Sequence, residues 1–192
     1  MEKNMSQQKT SSLPSAADLI LFEMHNFQDP NREELRLYML EVLPEARRAA
    51  ILAEKELVDR ISTPEEVMHF MRKGKEMYNR PYICDKALEF GDELIPTIIR
   101  RWKTSSFDFF IENAAVTLSA ADDEYINQLV NEYGEFRQPY AIGMLSVMLA
   151  FRERKDALPA MRKAQKYLKG VVDSENNSGL EAVNAAIEML EE

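Results

Sequence analysis

The feature that most constrains the fold of this chain is a pattern that recurs three times between residues 81 and 170. The three passages begin at Pro81, Asp108 and Pro139, and each reads as an apolar helix, a short polar break and a second, amphipathic helix. A fixed period of this kind is typical of stacked helical repeats, in which each unit contacts only its neighbours. Repeats of this type usually form binding surfaces.

The second helices of the first two passages correspond position by position. The apolar stripe of the first recurs 31 residues later, where Ile95, Ile98, Ile99 and Trp102 correspond to Ile126, Leu129, Val130 and Tyr133. The polar residue Arg100 corresponds in the same way to Asn131. In the third passage Arg162 and Gln165 stand where the apolar stripe would end, so this copy is degenerate.

The whole chain is predicted to be helical. Only 6 of its 192 residues are glycine, and no stretch alternates apolar and polar residues for long enough to be a convincing strand. We expect a polar tail at residues 1–14, N-terminal helices at 15–80 that are degenerate repeats or a helical cap, the repeat region at 81–170, and an acidic capping helix at 171–192. The expected fold is all-α, a right-handed stack of antiparallel helical hairpins.

Local signals predict where several helices begin and end. Ser15 and Thr63 each stand three residues before an acidic residue, which is the spacing of a capping box. Leu19, Ile20, Phe22 and Phe27 are expected to form the apolar side of the first helix. Pro44 is predicted to break or kink the long helical pattern that follows, and the helix after Thr63 is predicted to run to about Asn79.

One helix stands out because it is apolar on every side. Ten of the thirteen residues from 139 to 151 are apolar. A helix of this kind is covered by several neighbours, so we expect it to be central. It is about half the length that a membrane span needs.

The second helix of the first passage, ELIPTIIRRW from Glu93, resembles the second helix of a HEAT-type repeat, which has a leucine-proline pair near its start. The segment ALPAM from Ala157 is similar, whereas the middle passage has Asn127 where the proline would be. The resemblance covers roughly residues 81–170. It implies a scaffold that grips peptides or other proteins along a concave face built from the second helices.

Charge and cysteine content exclude several classes of protein. The net charge of −9 disfavours non-specific binding to nucleic acid or to anionic membranes. Cys84 is the only cysteine, so neither an intrachain disulfide nor a cysteine-based zinc site can form. We therefore expect a soluble protein of the reducing cytoplasm.

No set of residues amounts to a catalytic or metal centre. Glu66 and His69 have Glu-x-x-His spacing, but a di-iron site needs a second copy of that motif, and Glu66 is explained as part of a helix start. The acidic run at residues 122–124 is typical of the first turn of a helix. Cys84 is expected to be a buried structural thiol. We predict no catalytic residue, no metal and no cofactor.

The methionines of the apolar stripes are predicted to fill the core, and a pliable binding groove is the alternative for them. The residues concerned are Met39, Met68, Met71, Met144 and Met148.

A basic helix is the best candidate for a binding site. Residues 152–169 carry a local charge of +5 and residues 170–192 a local charge of −6. Arg162, Lys166 and Lys169, at spacings of four and three, share one face of this helix, next to Lys163, and these cations are predicted to continue a line that begins at Arg100 and Asn131. Such a strip would bind an acidic or phosphorylated peptide, whereas the alternative is a solvated face neutralised by the acidic terminal segment.

Three functions are consistent with these features. The first is a non-catalytic helical scaffold that binds a protein or peptide partner. The second is a HEAT-fold enzyme of the DNA-glycosylase type, which would need a basic groove with aromatic residues, whereas Trp102 is assigned to a packed stripe. The third is a homo-oligomeric assembly element, in which one end of the array stacks on a second copy.

Overall fold

The computed structural model describes residues 13–171 and 177–192, and within these ranges it contains eleven α-helices and no strand, which confirms the all-α expectation. The helices are α1 (Ala16–Gln28), α2 (Arg32–Glu41), α3 (Glu45–Asp59), α4 (Pro64–Lys73), α5 (Arg80–Phe90), α6 (Ile95–Trp102), α7 (Asp108–Ser119), α8 (Asp123–Asn131), α9 (Pro139–Phe151), α10 (Leu158–Val171) and α11 (Ser178–Glu191). Most of the predicted tail, and residues 172–176 near the start of the predicted capping segment, lie outside the described residues. None of the described helices is long and apolar enough to cross a membrane.

The predicted helix starts are confirmed by their capping contacts. The backbone N–H of Ser15 donates to Asp18 at 2.9 Å, and the Ser15 hydroxyl accepts the N–H of Asp18. The same reciprocal pair joins Thr63 and Glu66 at the start of α4. Pro44 stands at the N-cap of α3, so the chain does break there between two helices.

The helix that begins after Thr63 is shorter than the sequence predicts. It ends at Lys73 rather than near Asn79. The carboxylate of Glu54 on α3 accepts the backbone N–H groups of Lys75 at 2.8 Å and Glu76 at 3.1 Å. The N–H groups of Lys75 and Glu76 therefore bond to α3 instead of continuing the hydrogen-bond pattern of α4, and α4 ends before them. A 3₁₀ turn then leads into α5.

Four helices pack on one another in chain order. Helix α5 contacts α7, α7 contacts α9, and α9 contacts α11, while α1 lies across α7, α9 and α11. Residues 141–150 of α9 are all buried, which confirms that this helix is central. Gly143 of α9 and Gly179 of α11 let these two helices approach closely, and among the described residues no other pair of helices is in such extensive contact.

The aligned apolar stripes of α6 and α8 point into the core. Ile95, Ile98, Ile99 and Trp102 are fully buried, and so are Ile126 and Leu129 in the next copy. Trp102 packs edge to face against Phe136, with ring centroids 5.4 Å apart. The hydroxyl of Tyr133 lies 2.6 Å from the hydroxyl of Ser146 on α9, so the second copy is joined to the central helix by a buried hydrogen bond.

Candidate functional site

The basic strip of α10 consists of Arg162, Lys163, Lys166 and Lys169, and all four side chains are exposed. Arg162 Nη2 lies 2.6 Å from Glu191 Oε1 on the acidic helix α11. Within residues 13–171 and 177–192, the three lysines of the strip form no ion pair. In the described part of the chain, the acidic helix therefore neutralises one of the four cations.

The packing of α10 decides how these side chains are directed. Met161, Ala164 and Leu168 are buried, and Gln165 donates to Asn184 of α11 at 2.7 Å. Because residues three and four apart share one side of a helix, Arg162 and Lys169 lie toward α11, while Lys163 and Lys166 face away from the core.

Arg100 and Asn131 occupy equivalent exposed positions on α6 and α8, two helices that pack against each other. Arg100 donates to the hydroxyl of Thr97 at 3.2 Å. Lys163 stands 32 residues after Asn131 and is exposed in the same way. No described hydrogen bond joins these three residues, and the continuous line through them stays a prediction.

The acidic residues Glu66 and Asp123, which belong to two motifs noted in the sequence, are bonded to other residues of the fold. The carboxylate of Glu66 accepts the backbone N–H groups of Ser62 and Thr63, and these hydrogen bonds, that of Ser62 first, hold the pKa of Glu66 below its usual value. His69 is exposed and lies edge-on to Phe70. Asp123, in the acidic run at the start of α8, is ion-paired with Arg152 at 2.6 Å.

The thiol of Cys84 is fully buried, as the sequence predicts. Its Sγ lies 3.7 Å from the carbonyl oxygen of Asn113, and burial raises the pKa of Cys84 to about 12. Across the described ranges, no group of three His, Cys, Asp or Glu side chains could hold a metal ion.

A buried polar cluster around Arg80 is absent from the sequence interpretation. The Arg80 side chain is 1% exposed; its Nη2 lies 2.5 Å from Glu112 and its Nε donates to Asn113 Oδ1 at 2.8 Å. Glu23 of α1 approaches Arg80 at 3.8 Å, and Tyr140 of α9 donates to Glu112 at 2.7 Å. The cluster thus connects α1, α5, α7 and α9.

The charges in this cluster are unequally compensated. Burial raises the pKa of Glu23, Arg80 opposes that shift, and the neighbouring Glu112 adds to it. Burial also raises the pKa of Asp108, at the start of α7. The guanidinium of Arg80 is paired with Glu112 of α7 and Glu23 of α1. Because these partners lie on different helices, the cluster connects the helices.

The α1–α2 groove is a second surface that the sequence interpretation missed. A cavity of about 230 Å³ opens between α1, α2 and the start of α5. Its lining residues are Phe22, Glu23, Asn26, Arg32, Leu35, Arg36, Met39, Met77, Tyr78, Pro81 and Tyr82. Met39 lies in this groove rather than in the core, unlike the buried Met68, Met71, Met144 and Met148.

The apolar side predicted for α1 is divided between the core and this groove. Ile20 and Phe27 are buried, but Leu19 and Phe22 are each 55% exposed. The apolar side predicted for this helix is therefore only half buried. The reason is geometric: the buried stripe of α1 follows Ile20 at spacings of three and four, and Leu19 and Phe22 fall on its flank.

Helix α2 also leaves an apolar stripe uncovered. Leu35, Tyr38 and Val42 are 41%, 67% and 72% exposed, and their spacing of three and four residues places them on one side. The sequence contains a signal for this uncovered stripe. Helix α2 is amphipathic, and its apolar side extends beyond its two buried residues, Arg36 and Leu40.

Comparison with known proteins gives no relative from which a function can be transferred. No protein-family model matches the chain, and neither the curated proteins nor the solved structures contain a match.

Proposed function

We propose that this chain is a non-catalytic helical scaffold that binds an acidic or phosphorylated segment of another protein through the basic strip of α10. The scaffold is a right-handed stack of HEAT-like helical hairpins in this proposal. Two observations support the stack. Helices α5, α7, α9 and α11 pack in chain order, and both residues are buried at three of the four aligned positions of the apolar stripes, the exception being Val130.

The observation that carries the binding proposal is the incomplete neutralisation of α10. Arg162 has an acidic partner on α11, whereas Lys163, Lys166 and Lys169 have none among the described residues. Exposed cations that share one side of a helix attract carboxylates and phosphates, and each charge-assisted hydrogen bond is stronger than a neutral one. A segment with acidic or phosphorylated residues at matching spacing fits this surface.

The test uses a fluorescein-labelled peptide of alternating serine and glutamate, synthesised with and without phosphate on its serines. We expect the phosphorylated peptide to bind the wild-type chain in an anisotropy assay, more weakly as salt rises. The double variant Lys163→Glu/Lys166→Glu is expected to lose binding by about tenfold or more.

The matched control is Arg60→Glu/Arg72→Glu, which makes the same change in net charge at exposed positions just after α3 and on α4. Equal losses in the two double variants would mean that the peptide responds only to total charge, and unchanged binding in Lys163→Glu/Lys166→Glu would overturn the site. Lesion-dependent binding of damaged duplex DNA in the same assay would favour the glycosylase alternative, although Trp102 is buried and cannot stack on a base.

A further inference from the structure

We propose that the α1–α2 groove is a docking site for a basic amphipathic helix of a partner protein. This goes beyond the proposed function, because the groove lies on helices other than α10 and has the opposite charge. The two surfaces would let the scaffold hold two different partners.

Two exposed apolar side chains line the cavity from different helices, Phe22 of α1 and Leu35 of α2. Further exposed apolar residues share their helix sides: Leu19 with Phe22, and Tyr38 and Val42 with Leu35. An amphipathic helix normally covers its apolar stripe with another element, and α2 does so only through its buried residues. Contiguous exposed apolar surface of this kind marks interaction sites.

The cavity can receive an apolar side chain from a helix that lies over it. An amphipathic helix that lies in a groove presents apolar residues at positions i, i+3, i+4 and i+7. The cavity has roughly the volume of seven or eight water molecules in the liquid, enough for one large apolar side chain as an anchor. Pro81 and Tyr82 of α5 form part of its lining below the two flanks.

Helices α1 and α2, which flank the groove, are acidic: residues 16–41 contain six acids and two arginines. The charged residues that line the cavity itself are Glu23 and these two arginines. Both arginines are engaged by the fold: Arg32 is paired with Asp85 at 2.5 Å, and Arg36 is 7% exposed beneath the ring of Tyr82. The exposed carboxylates are those of Asp18, Asp29, Glu33, Glu34 and Glu41. A partner helix with lysine or arginine beside its apolar stripe complements this border.

A second copy of this chain is a poorer occupant than another protein. The only strongly basic helix that the described residues offer is α10, and its apolar residues Met161, Ala164 and Leu168 are already buried. Tyr167 and Val171 remain exposed on it, at a spacing of four, and they do not form a full stripe.

The test uses a fluorescein-labelled amphipathic peptide of about 18 residues built from leucine and lysine, long enough to form a helix on binding. A leucine-glutamate peptide of the same pattern and a leucine-lysine peptide of scrambled pattern are the comparison probes. We expect the Kd of the patterned leucine-lysine peptide, measured by anisotropy, to be at least about tenfold lower than that of either comparison peptide.

The variant Phe22→Ser/Leu35→Ser removes exposed atoms from both flanks and is expected to weaken that binding about tenfold. Its matched control is Leu52→Ser/Leu57→Ser, which removes two leucines of α3 that are 42% and 54% exposed. The control should bind as the wild type does. Lys163→Glu/Lys166→Glu should also bind this peptide normally, which separates the groove from the basic strip.

Three outcomes would overturn the proposal. Equal binding of the patterned and scrambled peptides would show attraction to charge alone, and tighter binding of the leucine-glutamate peptide would contradict the acidic border. Light scattering that shows a dimer in the wild type and a monomer in Phe22→Ser/Leu35→Ser would assign the groove to a second copy.

Discussion

Gly143 of α9 lies directly against Gly179 of α11. A β-carbon added to Gly143 would be 2.9 Å from both the Cα and the carbonyl oxygen of Gly179, and also 2.9 Å from the β-carbon of Ala182. One added to Gly179 would be 2.3 Å from the carbonyl oxygen of Pro139. Backbone atoms cannot rotate away as a side chain does, so the absence of side chains at these two positions sets the spacing of α9 and α11.

Gly143→Ala is therefore expected to destabilise the fold. Overpacking costs about 1–3 kcal/mol, which exceeds the gain of up to about 1 kcal/mol in helix propensity. Urea unfolding followed by circular dichroism measures the difference. Gly170→Ala is the control, because no atom lies within 4 Å of the added β-carbon and the residue is exposed on α10; it should stabilise by about 0.5–1 kcal/mol. A Gly143→Ala variant as stable as Gly170→Ala would contradict the close contact.

The hydrogen bond between Tyr133 and Ser146 makes a second prediction. Ser146 Oγ donates to the carbonyl oxygen of Ile142 at 2.7 Å, so its single hydrogen is used and the Tyr133 hydroxyl donates to it. Ser146→Ala leaves a buried phenol hydroxyl unpaired, at a cost of about 1–3 kcal/mol, whereas Tyr133→Phe removes the donor itself at about 0.5–1.5 kcal/mol.

A double-mutant cycle on these two residues distinguishes this arrangement from simple packing. The double variant is expected to lose less stability than the two single variants lose in sum, because Tyr133→Phe removes the hydroxyl that Ser146→Ala leaves unpaired. Strict additivity would mean that the hydroxyls do not interact.

The position of Glu23 beside Arg80 makes stability depend on pH. Burial raises the folded-state pKa of Glu23 above its usual value of 4.5, so between that value and the raised pKa the folded chain binds more protons than the unfolded chain. The free energy of unfolding contributed by Glu23 therefore falls as pH rises through this window. Glu23→Gln cannot titrate, so its stability relative to the wild type should rise as pH increases through this window.

Unfolding in urea at intervals of pH measures that difference, and the effect of Asp108 cancels because both proteins retain it. Glu65→Gln on the exposed side of α4 is the control for the loss of one carboxylate. A Glu23→Gln curve that runs parallel to the curve of this control would mean that the Glu23 side chain is solvated in the folded state.

The sequence predicts features that depend on neighbours along the chain. The capping boxes at Ser15 and Thr63, the break at Pro44 and the central apolar helix α9 were all visible, because each depends on a few adjacent residues or on composition. The end of α4 was not predicted, because Glu54, about twenty residues earlier, captures its following backbone donors.

The candidate sites show the same limit. The pattern on α10 identified exposed cations, but which of them has a partner depends on Glu191, 29 residues after Arg162. The groove depends on how far α1 and α2 turn their flanks away from the core. Hydrophobic periodicity identifies an apolar side, but it does not reveal which part of that side a neighbouring helix covers.

Cys84 provides a probe of global stability that connects these predictions. Its thiol is fully buried and burial raises its pKa to about 12, so the folded chain at pH 8 offers a disulfide reagent neither access nor thiolate. Labelling should require opening of the fold, with a rate proportional to the population of the open state.

A variant destabilised by about 1.4 kcal/mol should react about tenfold faster. The labelling rates of Gly143→Ala and Gly170→Ala should then bracket that of the wild type, and a folded chain labelled as fast as one in urea would show that Cys84 is accessible.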